Sequence, residues 1–278
     1  MVAQPKSPAW RYAICNELFT EMSLTEVASS ASALGYQGLE IAPYTLAQRV
    51  TDLTPEDRRR HREQVEAQGL VVVGLHWLLA NTEGLYLNDL DPAVRERTLA
   101  YLLEEVDLCA DLGGTVLVFG SPSERNPRAG WSPAEAWEWT ADAMRRCGER
   151  AVQRGVTFCI EALPSYECSF VTSVDEAADL VRRVDHPGFR MMVDTKAMAY
   201  DARPVAEQIR LVSELVRHIH VNDPNLRGPG MGDLDFGPIL RAIGEVGYHG
   251  WLSVEALDRT TDIERIARES IANLRRLE

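Results

Sequence analysis

No stretch of the 278-residue chain approaches the roughly 18 consecutive apolar residues of a membrane-spanning helix, so no membrane partner is expected. Met1 to Pro8 contains no apolar core of a secretory leader. Cysteine is sparse: Cys15, Cys109, Cys147, Cys159 and Cys168 are odd in number and contain no C-x-x-C pair. That usage reads as reduced thiols in a cytoplasmic protein. No G-x-G-x-x-G follows an early strand, so the usual mark of a dinucleotide-binding open sheet is missing. Positive charge is also short, with 29 basic against 42 acidic residues and a net charge of −13. Such a surface repels phosphate backbones, which argues against a nucleic-acid partner. The run Arg58-Arg59-Arg60 lies among acids on an expected helix and reads as a solvated face.

The chain has enough apolar residues, 45% against 26% charged, to build a sizeable core. Strand and helix signals alternate from end to end. Strands are expected at 10–15, 38–41, 70–75, 115–119, 156–161, 189–194, 216–220 and 250–255. Between them run helices with recognisable caps. Leu24 to Leu34 is followed by Gly35, Thr54-Pro55-Glu56 opens a second helix closed by Gly69, and Asp91-Pro92 starts a third through Asp111. Ser132-Pro-Ala-Glu135 and Ser173-Val-Asp-Glu176 have the capping-box pattern. Helices over 204–215, 236–246 and 261–277 complete the series, and 120–130 is expected as a polar loop. Strict alternation implies a parallel sheet with right-handed crossovers. Eight units over this length predict an α/β fold, a single (β/α)8 TIM barrel domain covering 1–278, in preference to an open doubly wound sheet.

The most informative stretch is Val156-Thr-Phe-Cys-Ile-Glu-Ala-Leu-Pro164. With period 2, Val156, Phe158 and Ile160 point outward while Thr157, Cys159 and Glu161 point inward, and the inward row ends on a carboxylate. The same layout ends the next three strands on Asp194, His220 and Glu255, at intervals of 33, 26 and 35 residues. Each interval has room for one helical crossover. In a parallel barrel those tips share one rim, where active sites lie. Any one of them alone reads as an ordinary strand-end polar residue; four with matching parity read as a site for one divalent ion. Manganese is the first choice among Mn²⁺, Mg²⁺, Co²⁺ and Zn²⁺, although the donor set does not decide.

These strand ends, with Ala33-Leu-Gly-Tyr-Gln-Gly-Leu-Glu40 and Gly230-Met-Gly-Asp-Leu-Asp-Phe236, resemble the xylose isomerase-like barrel superfamily, the sugar phosphate isomerase/epimerase group. The resemblance, closest to ketose 3-epimerases, implies a metal-dependent isomerase or epimerase acting on a ketose or keto-sugar through an enediolate. Glu161 and Glu255 would be both metal ligands and the acid/base pair, with Asp194 and His220 purely ligands. Arg227 matches a substrate-contacting arginine if one inserted residue near Pro224 is allowed, and otherwise reads as a solvated loop residue. Where many relatives carry a histidine three residues after the strand-six Asp, this chain has Ala197; Lys196 is a candidate cation there, beside its reading as a surface lysine.

His76 reads as a substrate contact, a pocket wall or a further metal ligand, and Glu40 and Trp77 as pocket-lining residues. Gly120-Ser-Pro122 with Arg125 and Arg128 would hold an anionic group or form a lid, and His218 would be an interior histidine below His220. The alternative chemistry is a lyase, dehydratase or deglycosidase acting on an oxidised sugar at the same site. Two remoter alternatives are a non-catalytic sugar-binding barrel and an abasic-site endonuclease like endonuclease IV, whose extra histidines are lacking here. Relatives suggest a homodimer or homotetramer.

Overall fold

The computed structural model describes residues 10–277; the segment Met1–Pro8, read above for a leader, lies outside them. The eight strands are β1 (Arg11–Cys15), β2 (Gly38–Ile41), β3 (Val71–Leu75), β4 (Val116–Phe119), β5 (Thr157–Glu161), β6 (Phe189–Asp194), β7 (Val216–Val221) and β8 (Trp251–Val254). They close in chain order into an all-parallel barrel in which β8 pairs with β1. The helices are α1 (Leu24–Leu34), α2 (Pro55–Glu66), α3 (Pro92–Asp111), α4 (Pro122–Arg125), α5 (Pro133–Arg154), α6 (Val174–Val184), α7 (Thr195–Met198), α8 (Val205–Val212), α9 (Phe236–Glu245) and α10 (Ile263–Leu277). The expected alternation is therefore present, with strand and helix ends shifted by a few residues.

The caps explain several boundaries. Ser23 and Thr54 make reciprocal capping boxes with Glu26 and Asp57. Ser132 and Ser173 accept the expected backbone N–H from Glu135 and Glu176. The Glu176 carboxylate turns instead to the Thr172 backbone N–H and hydroxyl, so the reciprocal half of that box is replaced. Helix α2 ends at Glu66, and Gly69 serves the turn beyond it with φ +78°. Two single-turn helices were not expected: α4 within the 120–130 loop and α7 directly after β6. The latter is nucleated by Asp194 itself, whose side chain accepts the Ala197 N–H at 2.7 Å.

Two apolar clusters follow from the period-2 pattern. Ala13, Val73, Val116, Val118, Cys159, Met192 and Trp251 fill the barrel interior. Phe158 and Ile160 belong to the larger outer cluster, packed with helix residues such as Leu102, Met144 and Val181. No helix among the described residues is long and apolar enough to cross a membrane. In β3, Gly74 pairs with Val116 of β4 and also faces the Gly114 backbone.

A Cβ at Gly74 would drive into the Val116 carbonyl, a backbone atom that cannot swing aside. Gly74→Ala is expected to lower stability by about 1–3 kcal/mol through forced strand separation. Urea denaturation should show a lower midpoint with an unchanged slope.

Candidate metal centre

The barrel rim brings the four strand-end residues together. Glu161 ends β5, Asp194 ends β6, His220 is the penultimate residue of β7, and Glu255 follows β8 by one position. Each offers one ligand atom, and these atoms all lie within 4.8 Å of one another. All four side chains are buried. Their surroundings fix which atoms face the shared point. His220 Nε2 is tied to Glu40 Oε1 at 3.0 Å, leaving Nδ1 without a hydrogen bond and 3.4 Å from Glu255 Oε2. Asp194 accepts from the Ala197 N–H and, at 2.8 Å, from Asn222 Nδ2. Trp77 Nε1 donates to Glu255 Oε1 at 3.2 Å. Gly120 lies against the Glu161 carboxylate, where no side chain would fit.

The electrostatics describe a cluster short of positive charge. Burial, then the charges of Glu255 and Asp194, push the Glu161 carboxyl up to about 8. Burial and Glu255 likewise raise Asp194. Burial opposes ionisation of Glu255 as well, but His220 and His76 outweigh it and hold that carboxyl well below its ordinary range. Three carboxylates and an unbonded imidazole nitrogen, converging in a buried space, fit a divalent cation: it neutralises their repulsion and satisfies Nδ1.

The structure rearranges the outer parts of the expected site. Glu40 does not line the pocket: it is fully buried beneath His220 and binds both histidines, His218 Nε2 at 2.8 Å and His220 Nε2. It is thus the group that orients a candidate ligand. His218 is the interior histidine expected. Lys196 is not on the surface. It is 4% exposed, lines the pocket and pairs with Glu167 Oε1 at 3.0 Å. Burial opposes its charge, but Asp194, Glu255 and Glu167 more than offset that and raise its pKa.

Arg227 turns away to Asp258 Oδ2 at 2.8 Å, and its neighbour Leu226 enters the pocket instead. His76 and Trp77 both line the pocket; His76 sits between Glu17 Oε2 at 3.1 Å and Glu255 Oε1 at 3.5 Å.

Arg125 neither holds an anion nor forms a lid. It is fully buried and donates to the carbonyls of Phe119, Glu161 and Val171, so it braces the backbone of a candidate ligand. Arg128 lies over the Tyr86 ring at 3.8 Å. Sequence reasoning missed Glu17, Glu167 and Asn222. Glu17 and Asn222 continue the inward parity of Cys15 and His220 past the ends of β1 and β7, a signal that was available; Glu167 lies in a loop with no periodic signal.

Above this polar floor the pocket wall is apolar, formed by Trp77, Leu163, Leu226, Leu257 and Pro122. Trp77, Ser121 and Leu226 adopt left-handed φ values of 56°, 38° and 66°, three of the six non-glycine residues that do so among those described. Backbone strain is therefore concentrated at the wall.

Comparison with known proteins yields a match of residues 28–277 to the family model described as xylose isomerase-like TIM barrel. D-psicose 3-epimerase of Ruminiclostridium cellulolyticum is 29% identical over 123 residues, 44% of this chain and 42% of that protein, so that match spans under half of the relative. Fructoselysine 3-epimerase of Shigella flexneri is 24% identical over 260 residues, 89% of this chain and 90% of the relative. A crystal structure of D-psicose 3-epimerase in the presence of D-fructose superposes with a TM-score of 0.86 at 17% identity, covering 96% of this chain and 99% of that one. The structural likeness is one of fold.

In the metal-free protein Glu161 keeps its proton up to about pH 8, whereas a cation needs the carboxylate. Protons compete below that pH, so metal affinity should strengthen as pH rises toward 8. Binding of Mn²⁺ at neutral pH should expel protons from Glu161 and from the His220 imidazole, which Glu40 and Glu255 hold protonated. Calorimetric titrations in two buffers of different ionisation enthalpy count these protons, and Glu161→Gln should lower the count by about one.

Proposed function

The chain belongs to the xylose isomerase-like TIM barrel family, and from that premise we propose that it is a divalent-metal-dependent sugar isomerase or epimerase acting on a ketose or keto-sugar. The observation that carries this reading is the convergence of Glu161 and Glu255, with Asp194 and His220, on one buried point at the foot of a pocket. Glu161, Asp194, His220 and Glu255 would hold the ion. When bound, it supplies positive charge to the carbonyl and neighbouring hydroxyl oxygens, on which negative charge develops as a carbon-bound proton leaves.

The protein's own groups do the proton chemistry. Glu255 is kept ionised by His220 and His76 and oriented by the Trp77 N–H, which suits it to take a proton from carbon. Glu161 faces the same point from β5, which suits it to exchange a proton with the same carbon as the second of the pair. A carbon-bound proton returned to the opposite face gives an epimer; one returned to the adjacent carbon exchanges aldose and ketose. Lys196 adds a fixed ammonium along the pocket, paired to Glu167. The leucine wall gives the pocket above the carboxylates an apolar side. We assign Lys196, His76 and Trp77 to the substrate pocket, and give Glu40 and Arg125 positioning roles beneath it. Arg227, engaged with Asp258, is not assigned a substrate contact.

A second reading draws on the apolar wall. Free sugars offer little to four large apolar side chains, whereas a sugar with an apolar substituent would cover them. Enolisation at the same floor, with a leaving group one carbon further on, would then end in elimination: the sugar C–O bond breaks and the substituent departs with the electron pair.

Incubation with a panel of ketoses and keto-glycosides in deuterium oxide tests both readings by nuclear magnetic resonance. Deuterium is expected at a carbon next to the carbonyl, with release of a substituent marking elimination. Glu161→Gln and Glu255→Gln should each lower turnover about 10²–10⁴-fold, with metal content measured in parallel. A panel that exchanges no deuterium with metal-loaded protein would falsify the proposal.

A further inference from the structure

Beside the quartet, the described residues hold two further convergent sets of metal-type donors that share Cys15; in one, Glu40 and His220 already bond each other, and the other joins Cys15 to Glu17 and His76. Cys15 ends β1, Glu17 lies in the 3-10 turn that follows, and His76 comes directly after β3. One ligand atom from each lies within 4.8 Å of the others. All three are buried, with Glu17 and His76 at 1% exposure. Among the described residues neither Glu17 carboxylate oxygen and neither His76 ring nitrogen has an aligned hydrogen bond, although His76 Nε2 stands only 3.1 Å from Glu17 Oε2 and Nδ1 3.5 Å from Glu255 Oε1. Closeness without alignment means that the two groups aim at a common point rather than at each other. An imidazolium paired with a carboxylate would direct its N–H along the contact, because an unbonded buried carboxylate is costly. The same relation marks the quartet, where His220 Nδ1 is unbonded 3.4 Å from Glu255 Oε2.

Charge points the same way. Glu17, Glu40, Glu161, Asp194 and Glu255 are all buried at this end of the barrel; Lys196 faces Asp194 and Glu255, and His218 and His220 hold Glu40. With one divalent ion in the quartet, Glu17 has only His76 to offset its charge.

We propose that Cys15, Glu17 and His76 form a second cation site, taking a borderline-soft divalent ion of the zinc type beside the harder ion of the quartet. Thiolate, imidazole and carboxylate are the ligand types that zinc accepts, and three protein ligands with an open fourth position are typical of catalytic zinc. With Nε2 on the ion, His76 turns Nδ1–H toward Glu255 Oε1, 3.5 Å away. A metal–imidazole–carboxylate chain of that kind fixes the ring tautomer and the carboxylate's orientation. The site thus couples to the quartet through Glu255, yet the inference does not depend on the sugar chemistry, because it is read from metal content and ligand identity alone.

The test uses the full chain, stripped with chelator and dialysed against cobalt(II) chloride, with the metal ratio and near-ultraviolet spectrum recorded. About two ions per chain are expected, with a sulfur-to-cobalt charge-transfer band that a site of three carboxylates and an imidazole cannot give. Cys15→Ser should lose the band and fall to about one ion, and Glu17→Gln, which keeps the thiol, should also lose an ion. Asp194→Asn should keep the band. Circular dichroism checks that each variant is folded. A single ion without the band in the wild type overturns the proposal and leaves His76 as an imidazolium neutralising Glu17. Retention of two ions in both Cys15→Ser and Glu17→Gln overturns it as well, as does a band that disappears with Asp194→Asn, since the sulfur would then serve the quartet.

Discussion

Like charge confined away from water is the constraint on which this molecule turns. Carboxylates a few ångströms apart in a poorly polarisable interior repel far more strongly than on the surface, and the barrel mouth gathers Glu17, Glu40, Glu161, Asp194 and Glu255 there. The protein ties some of them down singly. Glu40 is shared between two histidines, and Asp194 is held by a backbone N–H and the Asn222 amide. Glu161 has no comparable donor, and its raised pKa expresses the imbalance. The arrangement persists because the surrounding apolar layers, inside the barrel and between strands and helices, hold the strand tips in register. A site that destabilises itself in this way gains affinity for whatever cation relieves it.

Much of this was legible in the sequence because both signals involved are local. Period-2 alternation gives the side of a strand on which a residue lies, and a turn residue gives where the strand stops; together they located Glu161, Asp194, His220 and Glu255. Height within the barrel is another matter. Glu40 has inward parity near the end of β2, but it pairs with Cys15 and Gly74, two residues short of His76. It therefore lies below the rim, and parity alone cannot reveal that depth. Lys196 was misread for a related reason. A lysine after a strand is ordinarily solvated, but here Asp194 caps the single turn of α7 and the Lys196 N–H bonds to Asn222 Oδ1, which folds the side chain inward. Arg227 depended on a long-range loop: Asp223 accepts the N–H groups of Gly230 and Leu234, and the resulting turn presents Leu226 to the pocket while Arg227 meets Asp258.

Arg125 shows how such a site is braced from outside. A guanidinium buried without a carboxylate partner would ordinarily be destabilising. Here its donors reach the carbonyls of Phe119 and Glu161, at the ends of the paired strands β4 and β5, and of Val171 in the loop beyond, which the strand ladder does not hold. Its positive charge also lies behind the acidic floor without touching the carboxylates. Gly120 completes the support by keeping the space in front of Glu161 free of side-chain atoms. These positions set the backbone on which the ligands stand, and a loss there would act through geometry rather than through charge.

Floor and wall of the pocket are built by different means, and this separation limits what each can determine. The floor comes from strand tips, whose relative positions are set by the hydrogen-bonded barrel. It carries the candidate metal centre. The wall comes from loops: Trp77 after β3, Ser121 and Pro122 after β4, Leu163 after β5, Leu226 after β7 and Leu257 after β8. Three of these residues are held in left-handed backbone conformations, a cost that a loop serving only to connect elements would have no reason to bear. The candidate metal centre is accordingly written in the strands and the pocket wall in the loops. The absence of strand-like periodicity in those loops is why the chain discloses the strand-end cluster more readily than the wall above it.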